Sequence, residues 1–257
     1  MRHNHLMLVH ALRAAYPAYS HDELTAFIVC RRVLVDGEVV TDPKRSVART
    51  ATLTITLEQP YVSRGGEKLA SALSAFAVPV ESLIFLDAGA STGGFTDCLL
   101  RHGAHQVHAV DVGYNQLDYR LRSDERVVVH ERTNIMHLSE LDPQPDAAVC
   151  DLSFRSIRKA ASHILSLCKS GAYLIALIKP QFEISQEEPT FDGVIRDEAL
   201  LKEVLEAVLT DLITEGLGVH DLMESPITGA KGNTEYLVLL REEAGLSVAQ
   251  ALTRLGR

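Results

Sequence analysis

Residues 83–100, LIFLDAGASTGGFTDCLL, predict a strand, a glycine-rich turn and a helix in immediate succession. The apolar run 83–86 predicts a buried strand, Gly89 permits a tight turn, and residues 93–94 open the helix. A ligand can approach the backbone closely at such a turn. Because Asp87 would repel a pyrophosphate, the turn suits a ligand that carries ammonium and hydroxyl groups. S-adenosylmethionine is such a ligand.

From residue 63 onward, strand and helix patterns alternate, which predicts an α/β fold with a parallel sheet. The predicted strands are 83–87, 106–110, 126–130, 146–150, 172–178, 218–223 and 235–240. The predicted helices are 66–76, 94–102, 114–121, 155–168 and 197–215. Weak periodicity predicts an irregular loop over 183–196, and residues 243–257 predict a short helix or a frayed tail.

The first 60 residues predict a separate small α+β unit that ends near Pro60. Its predicted elements are an amphipathic helix over 5–16 with Leu6, Val9, Leu12 and Ala15 on one face, a helix over 21–31, a hairpin around Asp36-Gly37 and a strand over 50–57. Ser20 and Glu23 have the spacing of a capping box at the second helix.

The composition is that of a globular protein with an aliphatic core, since 46% of the 257 residues are hydrophobic, 5% are aromatic and none is Trp. A net charge of -9 argues against general attraction to nucleic acid. The charge is uneven, however: residues 1–80 carry nine Lys and Arg against seven acids, and residues 81–257 carry sixteen against twenty-seven. We therefore expect any RNA contact to use the first unit and local basic patches.

The cysteines and histidines predict neither a metal site nor a disulfide framework. Cys30, Cys98, Cys150 and Cys168 form no CxxC pair, so we expect small buried thiols in a reducing, cytoplasmic compartment. Nothing fixes a geometry for His3, His5 and His10, which we expect in a mobile N-terminal segment. The opening residues carry no signal pattern, and no segment approaches the roughly 20 apolar residues of a membrane span.

Two polar residues after later strands extend the predicted cofactor site. Asp111 ends the strand after the glycine turn, where a carboxylate can bind ribose hydroxyls. Asn134 follows the third strand, near the expected position of an adenine, although an ordinary loop cap explains it equally well. Tyr114 either lines the adenosine pocket or belongs to the core.

Four charged residues in distinctive contexts predict the chemistry: Lys68 in SRGGEKL, Asp151 in CDLSF, Lys179 in LIKPQFE and Glu235 in GNTEYLVLL. Methyl transfer to a hydroxyl needs in-line positioning and removal of the hydroxyl proton. Asp151 and Lys179 end the fourth and fifth strands, so both point into the crevice where open α/β sheets bind ligands. Lys179 is either a base, if it loses its proton, or a cation that stabilises the alkoxide.

Residues 62–240 resemble the hemolysin-A-like branch (TlyA family) of the FtsJ-type RNA methyltransferases. The motifs that carry the resemblance are VSRGGEKL, LDAGASTGGFTDCLL, AVDVGYNQL, CDLSF, LIKPQFE, GVIRD and TGAKGNTEYLVLL. It implies a Rossmann-like, seven-stranded methyltransferase sheet and a Lys-Asp-Lys-Glu tetrad at Lys68, Asp151, Lys179 and Glu235. It also implies S-adenosylmethionine at Asp87, Gly89, Ala90, Ser91, Gly93, Gly94, Phe95 and Asp111, next to Asn134 and Asp151.

The resemblance further implies ribosomal RNA methylated at the ribose 2'-OH within ribosomal subunits, with residues 1–60 as an S4-like RNA-binding domain and 61–257 as the methyltransferase domain. The usual opening of an S4 domain is not clear in MRHNHLMLVHAL. The expected RNA contacts are Arg31, Arg32, Lys44, Arg45, Arg49, Arg64, Arg155 and Arg158, which would bind phosphates and not read bases. An ordinary solvated surface is the alternative for all of them.

Three other functions stay open at this point. The family name suggests a membrane-active haemolysin, although the sequence has no basic amphipathic helix of the kind that binds membranes. A catalytically inactive RNA-binding factor for ribosome assembly would keep the fold, but the complete tetrad argues against it. A small-molecule O-methyltransferase would leave the basic-leaning first unit without a purpose.

Overall fold

A computed structural model describes residues 5–29, 32–56, 61–152, 156–184 and 192–256 of the chain. The predicted RNA contacts Arg31 and Arg155 lie outside these ranges. The chain divides into two compact units, Met1–Pro60 and Tyr61–Arg257.

The first unit is a small α+β structure with its own core. Its elements are β1 (His5–Met7), α1 (Leu8–Ala15), α2 (His21–Val29), β2 (Val33–Val35), β3 (Glu38–Val39), β4 (Ser46–Ala48) and β5 (Leu53–Ile55). β1 pairs antiparallel with β4, and a second sheet has the order β3-β2-β5. Leu8, Leu12, Leu24, Ile28, Val33 and Val47 belong to the buried cluster between these elements.

Local signals predicted the turns of this unit correctly. The capping box is present, since Ser20 N donates to Glu23 Oε2 at 2.8 Å and Glu23 N donates to Ser20 Oγ at 3.2 Å. The hairpin also forms: Asp36 and Gly37 are its two loop residues, and both have positive φ, at 52° and 87°.

The predicted first helix was wrong at its start. Residues 5–7 are extended because they pair with β4, a strand that the sequence reading missed, and the helix begins at Leu8. Its buried residues are Leu8, Val9, Ala11 and Leu12, whereas Ala15 is exposed. The strand predicted over 50–57 is shorter, at Leu53–Ile55, because Thr52 bonds through its N–H and carbonyl to Asp36.

The second unit is an α/β domain. Its elements are α3 (Arg64–Phe76), β6 (Ile84–Ala88), α4 (Gly94–Arg101), β7 (Gln106–Val110), α5 (Tyr119–Arg122), β8 (Val127–His130), β9 (Ala147–Cys150), α6 (Ala161–Ser166), β10 (Tyr173–Ile178), α7 (Glu198–Thr214), β11 (Gly218–Glu224), β12 (Tyr236–Arg241) and α8 (Val248–Leu252). Within the described residues, seven strands form one sheet in the order β11-β12-β10-β9-β6-β7-β8. All pairs are parallel except those of β12, which runs antiparallel to β10 and β11.

Helices cover both faces of this sheet, as continuous apolar strands require. One buried cluster contains Leu69 and Leu73 of α3 with Leu99 of α4, and the other contains Ile164 of α6 with Val208 of α7. The predicted Rossmann-like α/β fold is therefore confirmed.

Two predicted helices are shorter than expected. In place of a helix over 114–121, the structure has an irregular turn and then α5. The backbone N–H of Gly113 donates to the Asp111 carboxylate, and that of Asn115 donates to the Glu131 carboxylate, so these groups do not form helical hydrogen bonds. The helix predicted over 155–168 is reduced to a 3₁₀ turn at Ile157–Lys159 followed by α6. The predicted short C-terminal helix is confirmed as α8, which Ser247 and Gln250 cap.

The strand order places a crevice at one edge of the sheet. From β6 the chain adds β7 and β8 on one side and then returns to add β9 on the other side, so the strand order reverses at β6. Loops after the carboxyl ends of two such strands diverge to opposite faces and leave a space for a ligand. The glycine-rich turn follows β6 directly and therefore lies at this point.

Candidate active site

A cavity of about 500 Å³ lies at the carboxyl ends of β6, β7, β8 and β9. It is lined by Gly89, Ser91, Val110, Asp111, Val112, Gly113, Gln116, Thr133, Asn134, Ile135, Asp151 and Leu152. We call it the first cavity. Its volume is in the range of sites that hold a small molecule of cofactor size.

Gly89 brings the turn against the next loop of the site. Its φ is +88°, and a Cβ at this position would lie 2.6 Å from the carbonyl oxygen of Asp151. Its N–H donates to the carbonyl of Val110 at 2.9 Å. A side chain here would therefore push the turn away from both neighbouring strand ends.

Asp87 is a buried carboxylate beneath the turn. Its Oδ2 accepts a hydrogen bond from Thr96 Oγ1 at 2.6 Å, and within the described residues its Oδ1 has no hydrogen-bond partner. Burial, together with smaller contributions from nearby Asp151 and Asp111, raises the pKa of Asp87 to about 7. A cationic or N–H donor on a ligand would satisfy this oxygen.

Asp111 and Asn134 both line the first cavity, as the sequence predicted. Asp111 accepts hydrogen bonds from Ser91 N at 2.8 Å and Gly113 N at 2.6 Å, which orient its carboxylate. Asn134 also accepts from Met136 N at 3.1 Å, so it is a loop cap as well as a lining residue. Tyr114 has neither predicted role, because it is 63% exposed and is not among the lining residues.

A second cavity of about 210 Å³ adjoins the first and shares Gly89, Ser91 and Asp151 with it. Its remaining lining residues are Ser63, Arg64, Gly65, Lys68, Ala90, Thr92, Gly94 and Phe95. Glycines at the start of α3 and of α4 allow the two helices to pack closely beside this cavity. A Cβ at Gly94 would lie 2.2 Å from Ser63 Oγ, so the motif VSRGGEKL serves close helix packing as well as polar chemistry.

The four predicted tetrad residues form two ion pairs. Lys68 Nζ lies 2.5 Å from Glu235 Oε2, and Lys179 Nζ lies 2.5 Å from Asp151 Oδ1. Lys68 and Asp151 line the second cavity, so each pair contributes one residue to its wall. The pairs differ in burial: 9% and 3% of the Lys68 and Glu235 side chains are exposed, against 11% and 27% for Lys179 and Asp151.

A tight loop before β12 holds Glu235. A Cβ at Gly229 would lie 2.1 Å from Glu235 Oε1, so glycine is needed to leave room for the carboxylate. Asn233 is buried, and its side chain bonds to Ile195 N at 3.1 Å and to Gly193 O at 2.8 Å. Sequence reasoning missed Asn233, although it belongs to the quoted motif GNTEYLVLL.

Glu183 connects the loops that follow β9 and β10. Its carboxylate accepts from Ser156 Oγ at 2.5 Å and Ile157 N at 2.9 Å, and it lies 3.2 Å from Arg158 Nε. The second partner of Arg158 is Asp211 of α7, at 2.6 Å. Since two carboxylates hold its guanidinium, the structure does not favour the predicted phosphate contact of Arg158. Sequence reasoning missed Glu183.

The other predicted RNA contacts within the described ranges lie at the surface. In the first unit Lys44, Arg45 and Arg49 are exposed, whereas Arg32 is partly buried and its guanidinium lies 6.0 Å from the ring centre of Phe27. In the second unit Arg64 is exposed at the mouth of the second cavity.

Within the described ranges, no three His, Cys, Asp or Glu residues are grouped so that they could hold a metal ion. In the same ranges, no helix is long and apolar enough to cross a membrane. Cys98, Cys150 and Cys168 are buried free thiols, and burial raises the pKa of Cys98 and of Cys168 to about 12. Cys30 lies outside the described residues.

Comparison with known proteins identifies the family of the chain. The model of the family described as FtsJ-like methyltransferase matches residues 61–242. The chain belongs to the FtsJ-like methyltransferase family. Hemolysin A of Brachyspira hyodysenteriae is 42% identical over 221 residues, which cover 85% of this chain and 92% of that protein. The 16S/23S rRNA (cytidine-2'-O)-methyltransferase TlyA of Mycobacterium tuberculosis is 39% identical over 232 residues, covering 88% of this chain and 86% of that protein.

Solved structures place the chain in the same family. A structure described as a hemolysin, from Streptococcus thermophilus, matches with a TM-score of 0.72 and 32% identity, covering 98% of this chain and 97% of that one. Within the FtsJ-like methyltransferases, the chain therefore belongs to the hemolysin A/TlyA group. It is a methyltransferase, and its cofactor is S-adenosylmethionine.

The residues that line the first cavity, together with Asp87 beneath its glycine turn, fit this cofactor. Asp87 supplies an unsatisfied buried oxygen beneath the turn, which suits a cationic ligand. Asp111 presents an oriented carboxylate, and Asn134 an amide, to a cavity large enough for an adenosine. The glycine turn also lines the second cavity, to which each ion pair contributes one residue, Lys68 or Asp151.

Proposed function

We propose that this FtsJ-like methyltransferase methylates a ribose 2'-OH of ribosomal RNA. The observation that carries the proposal is the Lys179–Asp151 pair, in which Lys179 Nζ lies 2.5 Å from a carboxylate oxygen of Asp151, a residue that lines both cavities. The name of the Mycobacterium tuberculosis relative, an rRNA (cytidine-2'-O)-methyltransferase, supports the substrate class.

In this proposal the first cavity holds the cofactor and the second receives the ribose hydroxyl. S-adenosylmethionine supplies an electrophilic methyl group when it is bound. The turn 87–95 and Asn134 hold the cofactor, with Asp111 on its ribose and Asp151 at the junction of the cavities. The two cavities share Gly89 and Ser91, so a methyl group held there would face a hydroxyl in the second cavity.

Lys179 controls the proton of the attacking hydroxyl. As a neutral amine it accepts this proton, and as an ammonium it stabilises the alkoxide that remains. Asp151 orients the amine in either case through their 2.5 Å contact. Lys68 adds a second cation to the same cavity, and Glu235 holds it in place.

RNA binding in this proposal involves both units. Arg64, exposed at the mouth of the second cavity, contacts a phosphate beside the target nucleotide. Residues 1–60 act as an S4-like RNA-binding domain whose exposed Lys44, Arg45 and Arg49, together with Arg32, bind phosphates. We place the substrate within a ribosomal subunit, because the net negative charge of the second unit gives it no general attraction to free RNA. Ribosomal subunits as substrate imply a cytoplasmic enzyme.

The test is transfer of labelled methyl groups from S-adenosylmethionine to ribosomal subunits from cells that lack this gene. Label in rRNA, at a 2'-O position by nuclease resistance, is the expected result. Absence of label with the wild-type protein, despite measured cofactor binding, would contradict the proposal and favour an RNA-binding assembly factor.

The name hemolysin A carried by one relative raises a second candidate activity, lysis of membranes. Leakage of dye from liposomes by the pure protein tests it. We expect no leakage at protein concentrations that methylate rRNA fully, because the site described above explains the polar residues of the shared motifs.

A further inference from the structure

One exposed aromatic residue stands at the rim of the first cavity. Tyr114 is 63% exposed and lies in the loop after β7, next to Val112 and Gly113, which line the cavity. The guanidinium carbon of Arg132, in the loop after β8, lies 4.0 Å from the centre of the Tyr114 ring. At this distance the two flat groups are in stacking contact.

Backbone contacts between the two loops hold this pair in place. Arg132 N donates to the carbonyl of Gly113 at 2.9 Å, and Asn115 N donates to Glu131 Oε1 at 2.7 Å. Arg132 and Asn115 both have positive φ, at 52° and 57°, which is uncommon for residues other than glycine. The pair is therefore fixed beside the cavity and not carried on a loose loop.

The charge of Arg132 also distinguishes it from neighbouring arginines. Arg120, Arg122 and Arg126 are each paired with a carboxylate, at Asp118, Glu131 and Asp124. Arg132 is exposed and forms no ion pair with a carboxylate of the described residues. It thus presents an uncompensated positive charge and a planar surface at the same place.

We propose that Tyr114 and Arg132 form a stacking platform for an unpaired base of the RNA substrate. This inference rests on the proposed function, since it places the RNA beside the cofactor site. Aromatic rings and guanidinium planes stack on single-stranded bases of any sequence, and the positive charge attracts the adjoining phosphates. An unpaired base fits better than a duplex, because a 2'-OH that reaches the recessed second cavity must come from a displaced nucleotide.

The experiment compares Tyr114→Ala, Tyr114→Phe and Arg132→Gln with the wild type. Tyr119→Ala is the matched control. Tyr119 lies five residues from Tyr114, is 80% exposed, and stacks on no arginine of the described residues. The measurements are KM and kcat for methyl transfer to ribosomal subunits, the Kd for a protein-free rRNA fragment, and the Kd for S-adenosylmethionine.

We expect Tyr114→Ala and Arg132→Gln each to raise the KM for subunits and the Kd for the fragment about tenfold, as loss of one base stack does. Tyr114→Phe and Tyr119→Ala should stay within about twofold of the wild type, and the Kd for S-adenosylmethionine should not change. Unchanged RNA affinity in Tyr114→Ala overturns the inference.

Two further outcomes also overturn it. A weaker Kd for S-adenosylmethionine would assign Tyr114 to the cofactor, and a higher KM for subunits with unchanged fragment affinity would assign it to a ribosomal protein. If the wild type transfers no methyl groups, the proposed function fails, and the fragment affinities still decide whether the platform binds RNA.

Discussion

The two lysine–carboxylate pairs of the active site have the same chemistry and different surroundings. Lys68–Glu235 and Lys179–Asp151 both have N–O distances of 2.5 Å. Glu235 is enclosed by the loop at Gly229, and its side chain is 3% exposed, whereas that of Asp151 is 27% exposed and lines both cavities. The two pairs therefore differ mainly in their carboxylates: Glu235 is enclosed by the protein, whereas Asp151 faces both cavities.

This difference predicts a division of roles. Breaking a buried ion pair leaves an uncompensated charge in a medium of low dielectric, which costs stability. Breaking a pair at a cavity leaves a charge that water can reach, so the cost appears in catalysis. The predictions below test this division, in order of decreasing effect.

Lys179→Ala should reduce methyl transfer by about 10²- to 10⁴-fold, the range for loss of a proton-transfer group. Its effect on the free energy of unfolding should stay below about 1 kcal/mol, since the partner carboxylate is partly solvated. Single-turnover transfer and urea denaturation measure the two effects.

Lys179→Arg separates the two roles of this residue. Arginine keeps the positive charge but does not deprotonate in proteins, so it can stabilise an alkoxide and cannot act as a base. Substantial activity in this variant identifies a stabilising cation. A Lys179→Ala variant with full activity excludes both roles.

Lys68→Met should lower the free energy of unfolding by about 3–5 kcal/mol, because it leaves the buried Glu235 unpaired. The double variant Lys68→Met with Glu235→Leu should recover most of this loss, since no buried charge then remains. Both should transfer methyl groups poorly, because a cation is lost from the second cavity. A double variant as unstable as the single one would contradict the buried-pair interpretation.

Glu183→Gln should lower stability by about 1.5–3 kcal/mol, the range for hydrogen bonds to charged groups. It should also lower kcat about tenfold with an unchanged Kd for S-adenosylmethionine, because Glu183 ties together the loops that follow Asp151 and Lys179. Asp211→Asn is the matched control. This substitution changes the other partner of Arg158. Because the Asp211 side chain is 48% exposed, we expect it to lower the free energy of unfolding by less than about 1 kcal/mol.

Asp87 extends the comparison to a buried carboxylate without a cationic partner among the described residues. Its folded-state pKa of about 7 lies above the ordinary value of 3.8, so the native state binds this proton more tightly than the unfolded state. The stability that this contributes is present below the unfolded pKa and is lost as pH rises through about 7.

Without cofactor, the free energy of unfolding of the wild type should therefore fall, relative to that of Asp87→Asn, as pH rises from 4 to 7. One proton limits the slope of this difference to about 1.4 kcal/mol per pH unit. His108 and His130, whose pKa values burial lowers, act with the opposite sign in both proteins and cancel in the difference. A difference that is independent of pH would show that Asp87 is ionised throughout this range.

Local patterns were sufficient for much of the fold. Each of the seven strands of the second unit was predicted within one or two residues, because most of them are the apolar runs that a strand buried on both faces needs, antiparallel β12 included. Because parallel strands bring their carboxyl ends to one edge of a sheet, the sequence also predicted a ligand crevice beside the residues that follow β6, β7 and β9, and the first cavity lies there.

Two of the failures share a cause, which is that a deciding partner was distant in sequence. Residues 5–7 became a strand because β4 pairs with them, and the helix predicted over 114–121 gave way to contacts with Glu131. A helical pattern over a few residues cannot compete with such contacts, since short helices are marginal by themselves.

The sequence by itself predicted which chemical groups form the candidate site: the glycine turn, the carboxylates at the strand ends, and the residues Lys68, Asp151, Lys179 and Glu235. Only the tertiary structure decided which lysine pairs with which carboxylate and how deeply each pair is buried. Lys68 and Glu235 are 167 residues apart, and the packing of α3 against the loop before β12 joins them. The burial of a charge sets its dielectric environment and therefore its interaction and desolvation energies. Burial is a property of the packed chain, so the sequence supplies the four charged residues, and the fold determines these energies.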